Sequence, residues 1–167
     1  MTLHDINNLS FEAAYIEFHR CCGAKKWVSQ MADGRPFRSR DTLMTAADTI
    51  WQNLEPSEWK DAFGHHPKIG DIESLKQKFG STATWAEGEQ SGVRTASDEI
   101  LMKLAEGNKE YEEKFGYIFI VCATGKSAHE MHLLLEQRLQ NDPEHELTIT
   151  AEEQRKITRI RLEKLLA

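Results

Sequence analysis

Tyr117-Ile118-Phe119-Ile120-Val121-Cys122-Ala123 is the only β-like run in the chain, and its reading decides the fold. A lone strand has no neighbour to take up its backbone hydrogen bonds, so the segment reads as a buried connector or a distorted helix. The rest of the chain carries helical spacing. Upstream, Ile100, Leu101, Leu104 and Ala105 begin a helix that Gly107-Asn108 should interrupt before it resumes through Tyr111 and Phe115. Downstream, Ser127 with Glu130 forms a capping box opening a helix through Met131, Leu134, Leu135, Arg138 and Leu139. Asn141-Asp142-Pro143 ends it. Thr150 with Glu153 repeats the capping pattern and launches a last helix carrying Ile157, Ile160 and Leu165.

Toward the N-terminus, Ser10 caps a segment with Phe11, Ala14, Tyr15 and Phe18 at three- and four-residue steps, closed by Gly23. A piece around Trp27 to Met31 stops at Asp33-Gly34-Arg35-Pro36. Leu43, Ala46, Ala47, Ile50, Trp51 and Leu54 form one apolar stripe. Ser57 caps a short helix with Trp59, Ala62 and Phe63, and Ile72, Leu75 and Phe79 make another closed by Gly80. The expected fold is all-α, a single-domain multi-helix bundle of about seven or eight helices over residues 1–167.

Of 167 residues, 40% are apolar and 29% charged, and the formal net charge is −6. That balance gives no field to attract nucleic acid or anionic lipid, and there is no basic stripe to grip phosphates. Three cysteines, two of them adjacent, suit a reducing compartment better than a disulfide framework. No apolar run approaches the ~20 residues of a membrane span, and MTLHDINNLS lacks the features of a signal peptide. A cytoplasmic protein is expected. No zinc spacing, phosphate loop or nucleophile elbow is present, so no metal and no cofactor are expected.

Between two helical segments lies Gly64-His65-His66-Pro67-Lys68-Ile69-Gly70-Asp71. Pro67 disfavours the α region for His66, which should therefore lie at a helix end, with glycines at 64 and 70 permitting sharp turns. Imidazole is the side chain best suited to exchange a proton near neutral pH, although a capping or solvent-exposed histidine fits the same pattern. Glu89-Gln90 sits in a segment of small residues. A carboxylate beside a carboxamide could accept from and donate to a ureido group, or be ordinary solvated surface. Arg161 lies between Ile157 and Leu165 on one helix face, where it either snorkels outward or faces an anion. Arg155 and Arg159 read as surface charge. Cys122 reads as buried, and His129 with His132 as a solvated helix face.

These residues together resemble the 2-oxo-4-hydroxy-4-carboxy-5-ureidoimidazoline (OHCU) decarboxylases of purine degradation. The likeness covers Phe11-Glu12, the His66-Pro67-x-Ile69-Gly70 turn, Trp85 through Val93 and the Phe115 to Ala123 run. It ends with Lys156-Ile157 and Arg161-Leu162. The resemblance implies an all-α, commonly dimeric enzyme without a cofactor, which converts OHCU to (S)-allantoin with loss of carbon dioxide. It implies that His66 is the catalytic acid/base, with Glu89 and Arg161 as companions. Pro67, Ala86, Gln90, Ile120, Val121, Cys122 and Ala123 would line the substrate. Many members carry a serine where this chain has Ala86, so that hydroxyl contact is missing or replaced by Thr84 or water. Functional coupling to 5-hydroxyisourate hydrolase follows from the same resemblance. The residues alone leave two other readings: a helical module binding a ureide or small anion without turnover, and a plain interaction domain.

Overall fold

Most of the helices among the described residues are built from local signals that satisfy their own ends. The computed structural model describes residues 1–67, 73–76 and 91–167, with the backbone alone over 91–97. The helices are α1 (Leu3–Asn8), α2 (Phe11–Cys21), α3 (Lys25–Asp33), α4 (Arg40–Gln52), α5 (Pro56–Phe63), α6 (Ser91–Phe115), α7 (Ala128–Leu139) and α8 (Pro143–Leu165). Residues 73–76 are also helical. Among the described residues there is no strand, and no helix is long and apolar enough to cross a membrane. The all-α expectation therefore holds. Residues 118–123 are neither helix nor strand but a connector, entered through Gly116 (φ 82°) and followed by Gly125 (φ 75°). Both angles lie in the left-handed region that favours glycine. Those two positions turn the chain out of α6 and on toward α7.

Ser10 and Ser127 accept backbone N–H bonds at the starts of α2 and α7 as expected. Three boundaries differ. α5 starts at Glu55-Pro56, not at a Ser57 cap, because Pro56 at the first helical position needs no N–H partner. α6 runs unbroken through Gly107, which serves packing instead: a Cβ there would lie 2.6 Å from Leu135 Cδ2 on α7. α8 begins at Pro143, with Asp142 Oδ1 accepting the His145 N–H at 2.9 Å. Thr150 is thus a buried residue inside the helix, not its start.

The chain divides into two compact units. The first comprises Met1–His66, Ile120–Cys122 and Leu147–Ala167. Its core contains Phe18, Trp27, Met31, Leu43, Phe63 and Leu162, all fully buried. Three indoles join its helices by donating to backbone carbonyls. Trp27 reaches Ala47 O at 2.9 Å, Trp51 reaches Ala151 O at 3.0 Å and Trp59 reaches Trp51 O at 2.9 Å. Each ring contributes burial worth a few kcal/mol without leaving a stranded donor. Arg155 and Arg159 are not plain surface charge: both bind Asp48 on α4, at 3.1 and 2.5 Å.

The second unit comprises Pro67–Phe119 and Ala123–Glu146. Its described centre is a polar knot. Buried Glu146 accepts from Tyr111 Oη at 2.5 Å, Arg138 Nε at 2.6 Å and Asn141 Nδ2 at 2.9 Å. The Arg138 guanidinium also lies 4.7 Å from the Phe119 ring centroid. Breaking such a pair leaves a buried charge with no counter-charge, which costs far more than a surface ion pair. Glu146→Ala is expected to lose about 3–5 kcal/mol in urea denaturation, and Glu146→Leu with Arg138→Met to regain much of it.

Candidate active site

α5 ends at Phe63, and the chain turns over Gly64, with His65 and His66 N–H donating to the Ala62 and Phe63 carbonyls at 3.2 and 3.3 Å. Gly64 itself has φ −66°, so the turn uses no left-handed backbone there. The close fit lies elsewhere. A Cβ on Gly23 would sit 2.3 Å from both His65 Cβ and Cγ. His65 also meets the His19 ring edge-on at 4.8 Å, and its Nδ1 lies 3.1 Å from Asp61 O. His65 is a wedge that fixes where its neighbour points.

His66, outside the helix as Pro67 requires, places Nε2 2.5 Å from Gln154 Oε1 on α8. Gln154 is fully buried, and its Nε2 donates to Thr158 Oγ1 at 3.1 Å. Burial is the main reason that His66 titrates below the usual histidine value. The Gln154 bond opposes this, and the positive charge of Arg161 adds to it. His66 is therefore neutral at neutral pH and able to take a proton.

Arg161 is half-buried, and its Nη1 donates to the Cys21 carbonyl at 3.4 Å. Burial pushes the Cys21 and Cys22 thiols up to about 12 and about 11. Neither is a thiolate nucleophile at neutral pH. The connector joins the same unit: Glu153 Oε2 accepts the Cys122 N–H at 2.7 Å, while Lys156 holds its other oxygen at 2.7 Å. Ile120 is buried, whereas Val121, Cys122 and Ala123 are half-buried, so Cys122 is more open than its apolar surroundings suggested.

The positive charge of Arg161 thus reaches the His66 ring. Glu89, Gln90 and Ala86 lie outside the described residues, and Pro67 follows His66 in the chain. Sequence reasoning missed Gln154 and Thr158. The signal available was a run of polar side chains at four-residue steps, Glu146, Thr150, Gln154 and Thr158, all buried on α8. The expected line Ile157, Arg161 and Leu165 is only half-buried and borders that face.

A neutral imidazole held by a buried amide, with a guanidinium on the same supporting helix, gives this all-α protein a side chain that can take up a proton near a fixed positive charge. The family model described as OHCU decarboxylase matches residues 7–163. The chain is 35% identical over 159 residues to the uric acid degradation bifunctional protein TTL of Arabidopsis thaliana, covering 95% of this chain and 49% of that protein. It thus spans about half the length of that relative. It is 27% identical to the 2-oxo-4-hydroxy-4-carboxy-5-ureidoimidazoline decarboxylase of Amia calva, covering 99% of this chain and 95% of the relative. A crystal structure of OHCU decarboxylase in the presence of (S)-allantoin superposes with TM-score 0.71 and 35% identity, over 90% of this chain and 96% of that one. The chain belongs to the OHCU decarboxylase family.

The His65 wedge is directly testable. Gly23→Ala is expected to keep the fold, as judged by circular dichroism, yet to shift the His65 and His66 ring resonances in NMR spectra. Unchanged ring signals would show that the turn is set without Gly23.

Proposed function

We propose that this chain decarboxylates OHCU to (S)-allantoin without a cofactor, in urate degradation, with His66 moving the proton and Glu89 and Arg161 assisting. The observation that carries this reading is the neutral, half-buried His66 ring held against α8, the helix that also bears Arg161. Membership of the family supplies the reaction.

The chemistry asks little more of the protein. In OHCU the carbon bearing hydroxyl and carboxylate adjoins a carbon–nitrogen double bond. When the bond to the carboxylate breaks, its electron pair forms a carbon–carbon double bond and the ring nitrogen accepts the displaced pair. The substrate thus provides its own electron sink, the service a cofactor gives elsewhere. Loss of the hydroxyl proton then makes the carbonyl, delivery of a proton to one face of the neighbouring carbon sets the S configuration, and the ring nitrogen that took the pair gains a proton from water. His66 takes the hydroxyl proton. Arg161 steadies negative charge on oxygen, and Glu89 with Gln90 holds the ureido arm so that one face is presented. Pro67, Ala86 and the connector residues Ile120, Val121, Cys122 and Ala123 complete the lining.

Supply of OHCU by 5-hydroxyisourate hydrolase and a cytoplasmic setting belong to the same proposal. Relatives named as bifunctional proteins of uric acid degradation support the coupling. A homodimer also belongs to it.

With freshly generated OHCU, His66→Asn is expected to slow (S)-allantoin formation about 10²- to 10⁴-fold, leaving the racemic product of spontaneous decay. An undiminished rate with intact optical purity would remove His66 from the reaction. Tight (S)-allantoin binding by an inactive wild type would instead mark a binding module. The pH profile has a definite sign. Activity requires neutral His66, whose proton leaves below pH ~6.5, so the acid limb of kcat/KM should have its midpoint below that value. A limb centred above pH ~7 would contradict the assignment.

A further inference from the structure

An imidazole has two nitrogens, and only one of them can serve a substrate while the other is tied to the protein. We infer that Gln154 is the positioning residue that holds His66 in the Nε2–H tautomer, making Nδ1 the nitrogen that exchanges the proton. This rests on the reading of His66 as the acid/base and assigns the atom through which it acts.

The argument starts at Thr158. The Thr158 hydroxyl donates to the Cys22 sulfur, a bond that opposes the effect of burial on that thiol, and this leaves an oxygen lone pair free to accept. Gln154 Nε2 donates to that oxygen at 3.1 Å. The amide nitrogen is thereby directed at Thr158, and the amide oxygen is left facing His66 Nε2 at 2.5 Å. An amide oxygen can only accept, so the proton on the ring must be on Nε2. Both Gln154 and Thr158 are buried, so rotation of the amide would strand a donor against a donor with no water to relieve it.

The same geometry suits a ring that cycles between charge states. When Nδ1 takes a proton from the substrate hydroxyl, the Nε2–H bond to Gln154 remains in place, because imidazolium donates from both nitrogens. Nothing on the protein side has to rearrange as the proton arrives or leaves. The reverse tautomer would lose its Gln154 contact at each protonation of Nε2. A neutral amide also holds the ring without the fixed negative charge of a carboxylate, so His66 remains a weak enough base to stay neutral, with Nδ1 unprotonated, at neutral pH.

The test reads the nitrogen directly. Long-range ¹H–¹⁵N spectra of the uniformly labelled wild-type protein at neutral pH, with His66→Asn providing the assignment, should show His66 protonated on Nε2. A ring protonated on Nδ1, or an even mixture, would overturn the inference. Gln154→Met should mix the tautomers and lower kcat about tenfold or more with KM little changed, as loss of a tautomer-fixing partner does elsewhere. Gln154→Glu should restore the Nε2–H state and move the acid limb of the rate profile up by about one pH unit, because a carboxylate favours imidazolium. Thr158→Val, which keeps the direct contact but frees the amide to rotate, should also mix the tautomers. A Gln154→Met protein with the wild-type tautomer and rate would overturn the proposal. If His66→Asn is fully active, the acid/base reading fails, and the spectra then decide the tautomer assignment separately.

Discussion

A helix that buries polar side chains must give each of them a partner, and α8 buries four at successive four-residue steps: Glu146, Thr150, Gln154 and Thr158. Unpaired, each such group would cost several kcal/mol, comparable to the net stability of a small domain. That constraint shapes what surrounds the helix. Glu146 draws Tyr111, Arg138 and Asn141 onto one carboxylate, and Gln154 draws the His66 ring inward while Thr158 fixes the amide. Satisfying the buried amide and placing the His66 ring are the same hydrogen bond.

The indoles solve a related problem by different means. Trp27, Trp51 and Trp59 each bring a large apolar surface and one donor, and each donor ends on a helix carbonyl. Such a carbonyl has a second lone pair beyond the one used by its own helix, so no ladder bond need be given up. The Trp51 bond to Ala151 connects α4 to the helix that carries Arg161. The paired ion contacts of Arg155 and Arg159 with Asp48 repeat that connection at the rim. Pair energies there are modest because the groups are partly solvated. The buried indole contact is the stronger determinant of position.

Local signals made most of the fold legible. Ser10 and Ser127 start helices where a hydroxyl followed by an apolar pattern says they should, and the YIFIVCA run is a connector with no strand to join among the described residues. The misreadings share a cause. Thr150 with Glu153 imitates a cap, but a cap is defined by a backbone that has not yet become helical, and Asp142-Pro143 had already started α8. Gly107 looked like an interruption because its benefit, room for Leu135, comes from another helix. In the site, His66 was legible through Pro67, and Arg161 through its place in an apolar line. Gln154 was not, because an amide becomes informative only when its burial is known. Glu89 rests on family resemblance alone, since it lies outside the described residues.

The tight fit of Gly23 against His65 separates the place where a function is exercised from the place where it can be lost. Gly23 carries no chemistry, has no side chain and lies far from the turn along the chain, yet a single methyl there competes for the volume of an imidazole. Inherited or laboratory variation will therefore find this protein's weak points among residues that a catalogue of reactive groups would omit. Repair by second-site change would have to come from residue 65, not from His66 beside it.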